Sequence, residues 1–215
     1  MKQDSDSKHL SYGPSEFARA ANVSRETISG LESLVSLLLG WNKKINLVSR
    51  STEQDIWRRH ILDSAQLYPL IPRDCSLLVD LGSGAGFPGL VLSIMGVQGV
   101  KLVESDARKC AFLREAIRVS GASAVVLNQR CETLSLGPAD VVTSRAFAPM
   151  DRLLELAKPV LGPKTQLLLL KGQQIEAELT QAHKMWRMQV DLLPSASDPS
   201  GSVVRVREVG HVNSS

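Results

Sequence analysis

The sequence predicts an α/β protein with a mostly parallel, seven-stranded sheet, an antiparallel edge and an N-terminal helical cap. From Cys75 onward, short apolar runs alternate with stretches of helical periodicity, which is typical of a parallel sheet with crossover helices. A glycine-rich loop connects the first apolar run to the next helical stretch. Before residue 75 the pattern is helical, so we expect a tail and helical cap over residues 1–74 and a sheet domain over 75–215.

The cap is expected to contain two helices. Ser24 can act as the N-cap of the first, which ends near Trp41 and carries apolar residues three and four apart, namely Ile28, Leu31, Val35, Leu38 and Leu39. A second helix is expected to start around Ser51 or Thr52. It would place on one face Trp57, Ile61 and Ala65. Residues 1–13 are predicted to form a loose polar tail, and residues 211–215 to fray.

The sheet domain is expected to contain seven strands. They are predicted at residues 76–81, 99–104, 123–128, 139–144, 165–170, 187–193 and 202–208. Helices fill most gaps between the earlier strands. A Ser/Pro/Asp/Gly loop at residues 194–201 separates the last two, with no room for a helix, which predicts an antiparallel pair.

Composition excludes several classes of protein. The chain has 215 residues, 43% of them hydrophobic, which suits one large domain with an appendage. No apolar stretch approaches the ~20 residues that span a bilayer, and no secretory signal is visible, so we expect a cytoplasmic protein that does not contact membranes. The three cysteines are widely spaced, which disfavours disulfides and a zinc site. We expect a monomer without bound metal.

The most informative segment runs from Asp80 to Leu90 and reads DLGSGAGFPGL. It follows an apolar strand and leads into an apolar helix, with Pro88 predicted at the first helical position. Glycines permit positive φ and close approach of a ligand, and the free amides of a helix start can face polar groups. The segment therefore predicts a nucleotide-type cofactor site.

Acidic residues around the loop indicate which cofactor binds. Asp80 ends the first strand, where a carboxylate would repel a pyrophosphate but attract the ammonium and sulfonium of S-adenosylmethionine. Glu104 ends the next strand, where an acid can accept both ribose hydroxyls. Together they favour S-adenosylmethionine. The alternative is a nicotinamide-dependent oxidoreductase, because Gly84-x-Gly86-x-x-Gly89 formally matches the dinucleotide fingerprint.

The net charge of +3 is modest, but the basic residues are unevenly distributed. Within eighteen residues the chain places Lys43, Lys44, Arg50, Arg58, Arg59 and His60, and Arg73 follows. This favours a surface that faces nucleic-acid phosphates, and the alternative is a solvated helix face. His60 and Asp63 lie three apart, and a structural hydrogen bond between cap and sheet domain is a better interpretation than a metal site.

Several motifs in order resemble one known family. They are Trp41–Leu47 (WNKKINL), Arg59–Ser64 (RHILDS), Asp80–Gly89 (DLGSGAGFPG), Ser144–Phe147 (SRAF) and Lys171–Gly172. Together they resemble the glucose-inhibited division protein B family, the bacterial 16S ribosomal RNA guanine-N7 methyltransferases, over residues 24–208. The resemblance implies a Rossmann-like class I S-adenosylmethionine-dependent methyltransferase fold. It also implies methylation of a guanine N7 in the 530-loop region of 16S rRNA, with the small ribosomal subunit or its RNA as partner.

The resemblance also implies roles for individual residues. Gly82 and Phe87 would line the cofactor, with Asp80 near its amino group, Glu104 at the ribose, and Cys131 and Glu132 beside the adenine, the Cys131 amide donating. The family often has Asp where this chain has Glu104. Arg145 would contact the cofactor or the incoming guanosine and position them. The remaining expected residues are Ser83, Gly84 and Gly86 for the cofactor, and Lys43, Lys44, Arg58, Arg59, Arg130 and Lys171 for RNA.

The chemistry is consistent with this family. Guanine N7 offers an in-plane lone pair and has no proton to lose, so the reaction requires alignment and no general base. Either Phe87 or Phe147 could hold the base by stacking, and each could equally be core packing. An S-adenosylmethionine-dependent methyltransferase for a protein or small molecule remains the main alternative.

Overall fold

In a computed structural model the described residues, 12–212, form one seven-stranded sheet flanked by helices on both faces. The strand order is β3-β2-β1-β4-β5-β7-β6. Most of the predicted polar tail, residues 1–11, lies outside the described residues, as do 213–215 of the segment predicted to fray. His211, also predicted to fray, is instead the last residue of a strand.

The predicted strands are all present, with ends shifted by a few residues at most. They are β1 (Leu78–Leu81), β2 (Val100–Glu104), β3 (Ala124–Asn128), β4 (Val141–Arg145), β5 (Gln166–Lys171), β6 (Trp186–Pro194) and β7 (Ser202–His211). The helices of the sheet domain are α5 (Gly89–Ile94), α6 (Ala107–Ser120), α7 (Met150–Ala157) and α8 (Ile175–Ala182). Because β1 to β5 are parallel, their carboxyl ends meet at one edge of the sheet, where ligands of open α/β sheets bind.

The antiparallel pair is confirmed, although its arrangement refines the prediction of an antiparallel edge. β7 runs antiparallel to both of its neighbours, β5 and β6. The antiparallel strand therefore lies one position inside the sheet, and the edge strand β6 runs in the same direction as β1 to β5. This topology brings the loop between β6 and β7 back to the carboxyl ends of the parallel strands.

The cap consists of α1 (Pro14–Ala21), α2 (Arg25–Asn42), α3 (Arg50–Glu53), a π-helix (Trp57–Leu62) and α4 (Asp63–Ala65). The long helix α2 confirms the first predicted helix, and Ser24 caps it by accepting from the Thr27 amide. The single second helix was wrong in detail, because it is broken into three pieces. Trp57 is nevertheless buried on the predicted face.

Two apolar cores lie on opposite faces of the sheet. The first packs α5 and α6 against the cap, through residues such as Phe17, Leu34 and Ile61 on the cap side and Leu90 and Phe112 on the other. The second lies under α7 and α8. The first core joins the cap to the sheet domain, so the packing does not separate the two. A domain boundary at residue 74 therefore stays a prediction. The shared core fixes the cap's π-helix above the ligand-binding edge.

Candidate functional site

A cavity of about 610 Å³ opens at the carboxyl ends of β1, β2 and β4; we call it the first cavity. Its size is in the range of small-molecule sites. Of the residues predicted to bind cofactor, it is lined by Gly82, Ser83, Gly84, Phe87, Glu104, Cys131, Glu132 and Arg145. Residues predicted from four separate segments of the sequence therefore lie around one cavity. Two further lining residues, His60 and Phe147, were expected in other roles, His60 in a structural hydrogen bond and Phe147 as one of two rings that could stack on the base.

The glycine loop forms part of the cavity wall with a backbone that other residues would rarely adopt. Gly82 has φ +68° and Gly84 has φ +55°. A Cβ on Gly82 would lie 2.2 Å from the Phe147 ring, whereas a Cβ on Gly84 would meet only the Gly82 carbonyl, at 3.8 Å. Gly84 thus leaves space open on the cavity side, as a close-packed ligand requires. Pro88 precedes the helix as its N-cap residue, one position earlier than predicted.

Glu104 lies at the end of β2 and is held in place by the loop. Its Oε2 accepts from the Gly84 amide at 3.0 Å, and its Oε1 accepts from the Asp106 amide at 2.8 Å. The side chain is 8% exposed and lines the first cavity. Each carboxylate oxygen has a second lone pair, so the group can still accept from a diol. A ribose fits this acceptor, because its two neighbouring hydroxyls can donate to the carboxylate.

Asp80 and Gly86 differ from the prediction. Asp80 has no solvent exposure and does not line the first cavity, so its expected position at the cofactor's amino group is wrong in this structure. Its Oδ1 accepts from the Thr143 hydroxyl at 2.7 Å, while Oδ2 has no partner among the described residues. Burial raises the pKa of Asp80 to about 6. Gly86 faces inward, where a Cβ would lie 2.9 Å from Leu90.

The segment after β3 provides another wall of the first cavity. Cys131 is 5% exposed, and burial raises the pKa of its thiol to about 11, so it is an uncharged, inert thiol at neutral pH. Glu132 is more exposed and pairs with Arg152 at 2.9 Å. Arg130 is exposed at the rim. The small side chain of Cys131, between the polar side chains of Arg130 and Glu132, suits the edge of a flat heterocycle.

Arg145 ends β4 and is held by two residues of the cap. Its Nη1 donates to His60 Nδ1 at 2.6 Å, and its Nε lies 3.4 Å from Asp63 Oδ2. The guanidinium side chain is only 20% exposed. His60 and Asp63 therefore do connect cap and sheet domain, as expected, but through Arg145 rather than through a bond to each other. The 85-residue separation between His60 and Arg145 left no local signal for this contact.

His60 is a neutral acceptor for Arg145. An arginine only donates, so Nδ1 must be unprotonated and Nε2 carries the proton, which it donates to the Thr52 hydroxyl at 2.8 Å. The Thr52 hydroxyl in turn donates to the Ser49 carbonyl. The imidazole stacks on Phe87 with centroids 5.0 Å apart. Burial, with the charges of Arg145 and Arg59, lowers the pKa of His60 to about 3.

The two candidate aromatic rings occupy different environments. Phe87 is 6% exposed, and one face is covered by His60. Phe147 is 37% exposed and lies beside Gly82 at the cavity mouth. Ala146, which precedes it, has φ +47°, a left-handed conformation that is uncommon outside glycine and is found at functional sites. Only Phe147 therefore presents a free face to an incoming planar group.

A second cavity, of about 460 Å³, adjoins the first. The two share the segment 145–148 as a common wall. The second cavity is otherwise lined by the end of β5, by Glu178 on α8, by Arg59 and Asp63 of the cap, and by the loop between β6 and β7. Sequence analysis assigned no role to two of its acidic residues, Glu178 and Asp198, because they lie in segments without any motif.

The residues predicted to face RNA fall into two groups. Lys43 and Lys44 are exposed, and neither forms a salt bridge with any residue from 12 to 212. Arg58 pairs with Asp55 at 3.5 Å, and Arg59 with Asp198 at 2.5 Å. Lys171 does not fit the prediction of a phosphate-facing side chain. It is 8% exposed and donates to the Ala148 carbonyl and to Glu178.

Fold and site together define a class of protein. A sheet of this order, with a glycine loop after β1, an acid after β2 and a cavity above both, defines a Rossmann-like class I methyltransferase that uses S-adenosylmethionine. More particularly, residues 27–199 match the model of the family GidB, rRNA small subunit methyltransferase G, and the chain belongs to that family.

Individual relatives agree with this assignment. The chain is 50% identical over 196 residues to ribosomal RNA small subunit methyltransferase G of Rhodospirillum rubrum, covering 91% of this chain and 98% of the relative. Among solved structures, the ribosomal protein L11 methylase of Lactobacillus delbrueckii matches with TM-score 0.57 and 11% identity, covering 75% and 80% of the two chains. TYW2 of M. jannaschii in complex with AdoMet matches with TM-score 0.53 and 14% identity, covering 78% of each. At these identities the structures support the fold alone.

Two features are absent from the part of the chain that the structure describes. No helix within residues 12–212 is both long and apolar enough to cross a membrane. The same residues contain no cluster of three or more His, Cys, Asp or Glu side chains that could hold a metal ion. The nicotinamide alternative is set aside, because the family uses S-adenosylmethionine.

Proposed function

We propose that this protein transfers a methyl group from S-adenosylmethionine to N7 of a guanine in 16S rRNA of the small ribosomal subunit, in the 530-loop region. The observation that carries the proposal is membership, over most of the chain, of a family whose relatives are named rRNA small subunit methyltransferases. We further propose that it acts as a monomer in the cytoplasm.

The first cavity has the groups that this cofactor requires. Glu104 would accept from the ribose hydroxyls, since both of its oxygens are oriented by backbone amides. The buried segment at Cys131 would border the adenine, and the open space above Gly84 would admit the chain between ribose and methionine. The cofactor supplies an electrophilic methyl group on a sulfonium.

The residues around the common wall have a positioning role. Guanine N7 attacks through its lone pair, so no side chain has to remove a proton. His60 fits this requirement, because both ring nitrogens are already engaged and its low pKa keeps it neutral. Arg145, fixed by His60 and Asp63, reaches the wall between the two cavities and would orient the reacting groups.

The approach of RNA would be guided by charge outside the cavity. Lys43 and Lys44 lie in the turn after α2, and Arg130 lies at the rim of the first cavity. All three are exposed. Exposed, unpaired cations of this kind bind phosphates without reading sequence and give affinity that depends strongly on salt. Arg59 and Lys171 are engaged in ion pairs and contribute less to this surface.

The proposal is tested by locating 7-methylguanosine in 16S rRNA. RNA from cells with and without the gene is treated with borohydride and aniline, which cleave at 7-methylguanosine, and the cleavage sites are compared. We expect one site to disappear with the gene and to return when the purified protein and S-adenosylmethionine are added to undermethylated small subunits. Naked 16S rRNA is assayed in parallel. An unchanged cleavage pattern, with methyl transfer to a protein or small molecule instead, would refute the proposal.

A further inference from the structure

The charged residues that line the second cavity balance one another. Its charged residues form three ion pairs: Arg59 with Asp198 at 2.5 Å, Arg145 with Asp63 at 3.4 Å, and Lys171 with Glu178 at 2.7 Å. A site for a phosphate would have an excess of positive charge. A balanced cavity with hydrogen-bonding side chains suits a neutral, polar, planar ligand such as a nucleobase.

Its position and its aromatic wall suit the same ligand. The segment 145–148, shared with the first cavity, includes Phe147, which has an exposed ring. Sequence-specific RNA recognition uses bases that leave the stack, lie on aromatic rings and are hydrogen-bonded along their edges. An enzyme that modifies a base must bring it out of the helix in a comparable way.

The edges of guanine determine what the far side of the cavity must offer. If N7 points to the common wall, the Watson–Crick edge points away from it, toward residues that line only the second cavity. That edge carries two adjacent donors, N1–H and the 2-amino group, which a carboxylate can accept. The three carboxylates here are those of Asp63, Glu178 and Asp198.

Among these three, Glu178 has a free oxygen. Asp63 accepts through Oδ1 from Gln66 and Ser197, and its Oδ2 faces Arg145. Asp198 uses one oxygen for Ser200 and the other for Arg59. Glu178 Oε2 accepts from the Met150 amide and from Lys171, while none of the residues described, 12–212, donates to Oε1. Lys171 and the Met150 amide therefore hold this carboxylate in place with one oxygen available.

We propose that the second cavity receives the target guanine, with Phe147 stacking on the base and Glu178 accepting from its Watson–Crick edge. The inference rests on the proposed function and names the substrate subsite of that reaction. In the transfer step the bond from N7 to the methyl carbon forms as the bond from carbon to sulfur breaks. Sulfur keeps the electron pair, and the positive charge passes to the purine without movement of a proton. The carboxylates of the second cavity then face a cationic base.

The test uses inosine, which has N7, O6 and N1–H but lacks the 2-amino group. A synthetic RNA reproduces the segment around the guanosine that the wild-type protein methylates, assembled with subunits if naked RNA is inactive, and this guanosine is replaced by inosine. We expect kcat/KM of the wild-type protein to fall about ten- to a hundredfold, as for loss of a hydrogen bond to a charged group. Equal rates on both RNAs would overturn the inference.

A variant then assigns the contact to Glu178. Glu178→Gln should lose about ten- to a hundredfold on guanosine RNA and lose little more when inosine is substituted, because both changes remove one contact. Glu176→Gln, an exposed position on the same helix, should behave as wild type. Affinity for S-adenosylhomocysteine should be unchanged in both variants, and the melting temperature should fall only in Glu178→Gln, which loses the charge that pairs with the buried Lys171. Full additivity of the two losses, or no loss in Glu178→Gln, would overturn the role of Glu178 while leaving the proposed function intact. Absence of any N7 methylation by the wild type would overturn both.

Discussion

Replacement of His60 by Asn should change how the stability of the protein depends on pH. His60 is 5% exposed, and burial with its neighbours' charges lowers its pKa to about 3 from an ordinary 6.5. A base whose pKa is lowered by folding takes up its proton more readily in the unfolded chain. Stability from this group is therefore present above pH 6.5 and is lost as the pH falls from there toward 3.

The magnitude follows from the two pKa values. At pH 5 the His60 side chain is protonated in the unfolded chain and neutral in the folded protein. This difference lowers the free energy of unfolding by about 2 kcal/mol relative to its value at pH 7. Asp80 acts in the opposite direction, because its raised pKa of about 6 favours the folded state as the pH falls through that range. The wild-type curve is thus a sum of opposing contributions. The difference between wild type and variant isolates His60, since Asp80 is common to both.

The assay is urea unfolding at pH 7, 6 and 5. His60→Asn retains an oxygen acceptor toward Arg145 but loses the ring that stacks on Phe87, so it should be less stable than wild type at pH 7. The difference in free energy of unfolding between wild type and His60→Asn should be about 2 kcal/mol smaller at pH 5 than at pH 7. His183→Asn, at an exposed position, is the matched control and should run parallel to wild type. Parallel curves for His60→Asn would refute the assignment of a buried, neutral imidazole.

Three further predictions concern the binding surfaces. Gly84→Val should abolish binding of S-adenosylhomocysteine in calorimetry while the protein stays folded. The added Cβ would displace no protein atom, so the fold is kept, but a β-branched residue disfavours the φ of +55° that the loop adopts here. Wild-type affinity would contradict this role of the loop. Glu104→Ala should weaken the same binding about ten- to a hundredfold, and a change under about twofold would mean that another group holds the ribose. Replacing Lys43 and Lys44 by Ala should weaken RNA binding and reduce the slope of log K against log salt by about 0.7 to 0.9 per residue; Lys164→Ala, at the opposite end of the sheet, is the control, and equal slopes in all three proteins would exclude phosphate contacts here.

Features encoded in short segments were predictable from the sequence. The strand β1, the glycine loop and Glu104 follow from apolar runs, from glycines and from an acid at a strand end, each visible within a few residues. The helix α2 likewise has a regular apolar stripe and an N-cap. Such features are specified locally, and the sheet topology then brings their ends together at one edge.

Features that depend on distant contacts were not predictable. The three-part break of the second cap helix leaves the apolar face of Trp57 unchanged, so periodicity cannot detect the π-helical hydrogen bonds. The helix α1 has only one buried residue, Phe17, and gave little signal. Lys171 looked like a surface cation because its partner Glu178 comes from the following helix. Asp80 was placed correctly at the strand end, but its burial depends on packing around it.

The ion pairs of the second cavity also have a consequence for biosynthesis. Arg59 and its partner Asp198 are 139 residues apart, and Asp198 lies in the loop just before the last strand, which inserts between β5 and β6. A nascent chain whose residues 198–211 are still inside the ribosome cannot complete this wall. Newly made molecules should therefore gain the second cavity only after that segment has emerged. A chain truncated before residue 202 would leave β5 without its neighbour, even though the first cavity's residues are all present.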